Sequence, residues 1–137
     1  MKEKRHALSL LARESACQSA KMSGLSAVRF DTDDRGAPVP HDGVFWSVSH
    51  KDSMVSGVVA HAPVGIDIER IKRVSAPLFQ RIVPPDEEKR FAASGMSGNQ
   101  DHIFFRVFTA KEAVLKRETV GIKGLSRIKI DAVLDKN

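Results

Sequence analysis

Asp67 and Glu69 stand two residues apart in the run Val64-Gly65-Ile66-Asp67-Ile68-Glu69. Strand alternation would project both carboxylates from one face and turn Ile66 and Ile68 to the other. Two carboxylates side by side repel unless a cation lies between them, and hard oxygen ligands suit magnesium. Acid-x-acid pairs are also common on exposed strand faces, and alone this pair favours that plainer reading. Gly65 leaves room for another backbone or a ligand to come close. Further on, Glu112 and Lys116 are four apart and share one helix face, which in isolation makes a surface ion pair contributing about 0.3–0.5 kcal/mol. Lys111 falls inside the apolar arc of the same segment, centred on Phe104, Phe108 and Leu115, where a lysine must snorkel or meet an anion. Ser49 and His50 close an expected strand at a turn, rigidly held yet open. An imidazole there either donates to phosphate oxygens or is simply solvated. His6, His41, His61 and His102 show no metal-ligand spacing, and neither H-E-x-x-H, C-x-x-C nor a glycine-rich phosphate loop occurs.

The elements that must carry these residues follow from periodicity. Lys2 to Met22 lacks Pro and Gly and places Leu8, Leu11 and Ala12 at helical spacing, with Gly24 as the stop. Ala27 to Phe30 reads as a short strand, and the Asp- and Gly-rich stretch from Asp31 to Pro38 as a loop. Phe45 to Ser49 and Met54 to Ala60 read as strands joined through His50-Lys51-Asp52, and Val64 to Glu69 as a third. Pro84 and the acids after it open a helix running to about Ala93, and Ser94 to Gln100 is a loop. The strongest helix spans about Asp101 to Glu118. Gly121 and Gly124 break the chain before a last strand at Arg127 to Val133.

A chain of 137 residues, 42% apolar, builds one modest core. Its apolar runs are too short for a bilayer, its N-terminus lacks a secretory h-region, and its lone Cys17 forms no internal disulfide, so a cytoplasmic setting is expected. The net charge of +5 calls for an acidic partner: a phosphorylated small molecule, an acidic protein or nucleic acid. The basic residues are rarely interleaved with aromatics, which weakens the nucleic-acid reading.

Read together, Trp46-Ser47-Val48-Ser49-His50, then Val64 to Glu69, then Phe108-Thr109-Ala110-Lys111-Glu112-Ala113-Val114-Leu115-Lys116 resemble, in order and separation, the Sfp-type 4′-phosphopantetheinyl transferase family. The similarity extends through Lys123-Gly124-Leu125-Ser126 and back through Gly36-Ala37-Pro38, covering about residues 25–133. The resemblance implies an α+β fold with a small antiparallel sheet packed against a long helix, residues 1–43 forming a reduced first lobe and 44–137 the lobe with the metal site. It implies that the 4′-phosphopantetheine arm of coenzyme A is moved to a serine of an acidic acyl or peptidyl carrier protein, with 3′,5′-ADP released. Asp67, Glu69 and Glu112 would hold magnesium, and Glu112 would take the serine proton. Lys116 would stabilise the leaving group, and Ser49 and His50 would contact the coenzyme A phosphates. Lys111 and Arg35 are further candidates for coenzyme A, as is Arg5 or Arg13 for the 3′-phosphate. Ala37 and Phe108 depart from the family, which commonly carries lysine and tryptophan there. Arg70, Lys72 and Arg73 are candidates for meeting the carrier, or else a solvated loop. The short first lobe leads to the expectation of a homo-oligomer. The rival readings are a non-catalytic relative that only docks the carrier, and a basic nucleic-acid-binding domain.

Overall fold

The computed structural model describes residues 1–26, 28–96, 99–118 and 122–133, with backbone alone at 96, 122 and 123. Helix α1, Lys2–Met22, packs on an antiparallel pair formed by β1, Phe45–Lys51, and β2, Met54–Ala60. The helix buries alanines rather than leucines: Ala12, Ala16 and Ala20 face the sheet, while Leu10 and Leu11 are exposed. Gly57 explains the choice. A Cβ at that position would run into the backbone of Ala16 and stand 2.7 Å from the Ala12 carbonyl oxygen, so only small residues allow so close an approach.

Strand register assigns the two sheet faces. Trp46 pairs with Val59 and Val48 with Gly57, and these four turn toward α1, where Trp46 meets Phe30 edge-on at 5.1 Å. Ser47, Ser49 and Lys51 therefore share the opposite face. The hairpin turn is Asp52-Ser53, with Asp52 at a φ of +55°, because His50 and Lys51 still pair with Val55 and Met54.

The strand expected over Val64 to Glu69 does not join the sheet, yet its period of two survives. The Ile66 amide donates to Ser47 Oγ at 3.2 Å and the Ile68 amide to Ser49 Oγ at 3.3 Å, so hydroxyls replace the carbonyls of a ladder and the segment runs beside β1 in the same direction. On its other flank lies α4, Gln100–Arg117. A Cβ on Gly65 would collide with the Ala113 carbonyl and stand 2.7 Å from the Arg117 amide nitrogen.

The second half of the molecule is helical. Helix α2, Ala76–Ile82, not anticipated from periodicity, joins α3, Pro85–Phe91, and α4 around Phe79, Phe91, Ile103, Phe104 and Val107. Phe104 stacks on Phe108 at 5.7 Å. Asn99 caps α4 by accepting from the Asp101 and His102 amides. An irregular turn at Ala92–Met96 extends α3 past its expected end, and a 3-10 turn covers Ile122–Arg127. The last strand is a correction: residues 128–133 form no ladder and are held along α3, where Glu87 Oε1 accepts from the Ile130 amide at 2.9 Å and Arg90 donates to the Ile130 carbonyl at 3.2 Å. Residues 28–30 likewise form no strand. Ala27, residues 97–98 of the expected loop and Gly121 lie outside the described residues. The outcome is a mixed α/β fold with a small antiparallel sheet on a long helix, and none of its described helices is long and apolar enough to cross a membrane.

Candidate active site

The segment wedged between β1 and α4 delivers Asp67 into the seam. Its Oδ1 accepts from Ser49 Oγ at 2.9 Å and from Lys116 Nζ at 2.7 Å. Ser49 thus fixes the segment twice, accepting from the Ile68 amide and donating to the Asp67 carboxylate. One strand period on, Lys51 Nζ lies 3.1 Å from Glu69 Oε2. Ser47, Ser49 and Lys51 form one stripe of β1, of which sequence reasoning found only Ser49. Counting back and forward by two from Ser49 would have found the others.

From α4, Glu112 faces the same seam. Its carboxyl is pushed above the usual glutamate range, first by burial and then by the negative charges of Asp67 and Glu69, with Lys116 partly opposing. Two oxygens at this point, Asp67 Oδ2 and Glu112 Oε1, are buried with no hydrogen-bond partner among the described residues. Unpaired buried carboxylate oxygens are costly, and a hard cation is the kind of partner that would offset that cost. The donor set fits such an ion in kind. It is not a ready three-ligand cluster among the described residues, since Lys116 sits on Asp67 and Lys51 on Glu69.

A cavity of about 450 Å³ opens on the α1 side of the seam. Its wall brings Arg13 of α1, Arg35 and Pro38 of the turn, Trp46 and Ser47 of β1, and Lys116 together. The turn is held by Asp33, whose Oδ1 accepts from the Arg35 and Ala37 amides; the Ala37 bond is the chief cause of its lowered carboxyl pKa. Lys116 is the hinge of the arrangement, lining the cavity while touching Asp67.

Residues 63–137, which carry the whole α4 side of this seam, match the 4′-phosphopantetheinyl transferase superfamily. The chain belongs to this superfamily. It is 34% identical over 105 residues to a 4′-phosphopantetheinyl transferase of Bacillus pumilus, covering 74% of this chain and 45% of that protein. Over 111 residues it is 32% identical to a 4′-phosphopantetheinyl transferase of a Nostoc species, with shares of 75% and 46%. Enterobactin synthase component D of Salmonella typhi is 31% identical over 134 residues, or 95% of this chain and 56% of that protein. The chain spans about half the length of the curated relatives it matches.

Of the residues assigned from the transferase pattern, the fold brings Ser49, Asp67, Glu69, Glu112 and Lys116 to one seam and Arg35 and Lys116 to the cavity wall. Three others go elsewhere. Lys111 is a correction: it is buried against Glu87, Nζ to Oε2 2.8 Å, and donates to the Ile82 carbonyl, so the anion it meets is the protein's own. Arg5 is exposed near the start of α1 and does not line the cavity, whereas Arg13 does. His50 is exposed and, by strand alternation, projects away from the Ser49 face.

Proposed function

We propose that this protein transfers the 4′-phosphopantetheine arm of coenzyme A to a serine of an apo carrier protein, releasing 3′,5′-ADP. The observation that carries this reading is Lys116, which joins a cavity walled by Arg13 and Arg35 to a seam holding three carboxylates. Guanidinium groups suit the phosphates of the adenosine half, Arg35 from the turn and Arg13 from α1. Ser49 holds Asp67 in orientation through its hydroxyl. Asp67, Glu69 and Glu112 are the residues that would hold magnesium, which when bound supplies positive charge against the pyrophosphate oxygens. Lys116 then faces the phosphate that departs with 3′,5′-ADP and stabilises the charge growing there. Glu112, which faces the same seam from α4, takes the proton of the attacking serine hydroxyl.

Arg70, Lys72 and Arg73 follow directly after the seam and are all exposed, which supports docking of an acidic carrier at that edge. The exposed flank of α1, with Leu10 and Leu11, is where we place contact with a second copy. The deciding experiment is mass spectrometry of an apo acyl or peptidyl carrier protein incubated with this chain, coenzyme A and magnesium. A mass gain of one phosphopantetheine arm is expected, and an unmodified carrier across a panel of such proteins would overturn the reading.

A further inference from the structure

Lys51 brings a second ammonium to the seam beside Lys116, and it is not among the residues assigned from the transferase pattern. It ends β1 on the stripe shared with Ser47 and Ser49. Its Nζ stands 3.1 Å from Glu69 Oε2 and donates to Oε1 at 3.4 Å, so it covers both oxygens of that carboxylate. The buried carboxylate oxygens at the seam without a hydrogen-bond partner belong to Asp67 and Glu112 instead. The wedged segment has other ties to β1 and its turn: Ser47 and Ser49 take the Ile66 and Ile68 amides, and Arg70 Nε lies 3.3 Å from Asp52 Oδ2. What Lys51 adds to these is charge.

We propose that Lys51 is a specificity-determining residue that makes the seam accept a divalent cation together with a phosphorylated ligand rather than alone, an inference that rests on the transferase reading above. Glu69 reaches such a cation only by releasing Lys51, whose positive charge also repels any cation drawn to Asp67 and Glu112. A phosphorylated ligand reverses the sign. Phosphate oxygens brought to Lys116 and the cavity are attracted by a further ammonium. Lys51, on a flexible four-carbon stem and with its side chain 41% exposed, can turn from Glu69 toward them. When Glu69 takes the cation, the freed Lys51 becomes available to the anion, so each binds better in the presence of the other.

The test is calorimetric titration of the full chain with two probes, magnesium chloride without nucleotide and coenzyme A in saturating magnesium. Lys51→Met is expected to tighten magnesium binding about three- to tenfold, the scale of one unit charge acting on a divalent ion in partly solvated surroundings, and to weaken coenzyme A binding by a similar factor. Lys51→Arg, which keeps the charge, is expected to retain wild-type binding of both. Lys51→Gln keeps a donor for Glu69 and lacks the charge, so it is expected to follow Lys51→Met. The same direction of change for both probes, as a residue that only held Glu69 in place would give, overturns the proposal. So does a change in one probe alone or in neither, or wild-type behaviour of Lys51→Gln. Absence of coenzyme A binding to the wild-type chain overturns the transferase reading, and this inference with it; that result is distinct from the others because it is read before any substitution.

Discussion

Helix α4 sends two lysines to two acids, and the two regions they enter could hardly differ more. Lys111 meets Glu87 inside the phenylalanine-rich helical half, with side chains 3% and 1% exposed. Lys116 meets Asp67 in the seam beside the sheet, with side chains 32% and 7% exposed, at the wall of an open cavity. The first pair is closed: Glu87 also accepts from the Ile130 amide and Lys111 also donates to the Ile82 carbonyl, so it knits α2, α3, α4 and the C-terminal segment together. The second pair is left unfinished, with Asp67 Oδ2 and Glu112 Oε1 lacking partners among the described residues. The same chemical pair is a structural tie where a backbone amide and a backbone carbonyl complete it, although Glu87 Oε2 has no hydrogen bond beyond its ion pair with Lys111. Beside the open cavity the pair has two further carboxylate oxygens next to it that no described residue completes.

Breaking the buried pair should have the largest effect on stability. Lys111→Ala leaves Glu87 charged and unpaired in the interior and is expected to cost about 3–5 kcal/mol in denaturant unfolding. Combining Lys111→Met with Glu87→Gln, which keeps an acceptor for the Ile130 amide, should recover most of that loss. If Lys111→Ala costs no more than Lys116→Ala, the contrast between the two regions is wrong.

Gly65→Ala tests the wedge that separates them. Its Cβ would press on the Ala113 carbonyl, so segment and helix must part, at a cost of about 1–3 kcal/mol or more by thermal unfolding. A wild-type melting temperature would show that the seam is looser than its geometry.

Lys116→Ala sharpens the comparison from the other side. Its partly exposed ammonium should contribute only about 1 kcal/mol to stability, while carrier modification falls about 10²-fold or more, as expected for a cation facing developing charge. Loss of fold and activity in step would make Lys116 a second structural tie.

The smallest effect is a pH dependence. A carboxyl raised above its unfolded value, as Glu112 is, contributes stability that is full below the ordinary glutamate range and is lost as pH rises through the raised value. In magnesium-free buffer, Glu112→Gln should therefore be slightly more stable than wild type at neutral pH and gain nothing below about pH 4. A gain that is the same at both pH values would remove the electrostatic account.

Local period made α1, both strands and α4 legible within a residue or two, because a repeat of 3.6 or 2 is written in neighbouring residues. Helix α2 escaped despite Ser75 and Pro77 at its start, since seven residues are too few for a helical repeat to show. The wedged segment kept its alternation and lost its ladder, because Ser47 and Ser49 side chains took up the amides that a strand neighbour would have paired.

The sequence by itself determined that Asp67 and Glu69 share a side, that Glu112 and Lys116 share a helix face, and that the chain resembles one transferase family. Tertiary structure alone decided that Lys111 belongs to the core and Arg13, rather than Arg5, to the cavity. The physical reason is that a side chain's facing is set by its own backbone within a few residues, whereas its partner is set by distant segments folding against it. Glu87 reaches Lys111 because α3 packs beside α4, and no local pattern records that contact.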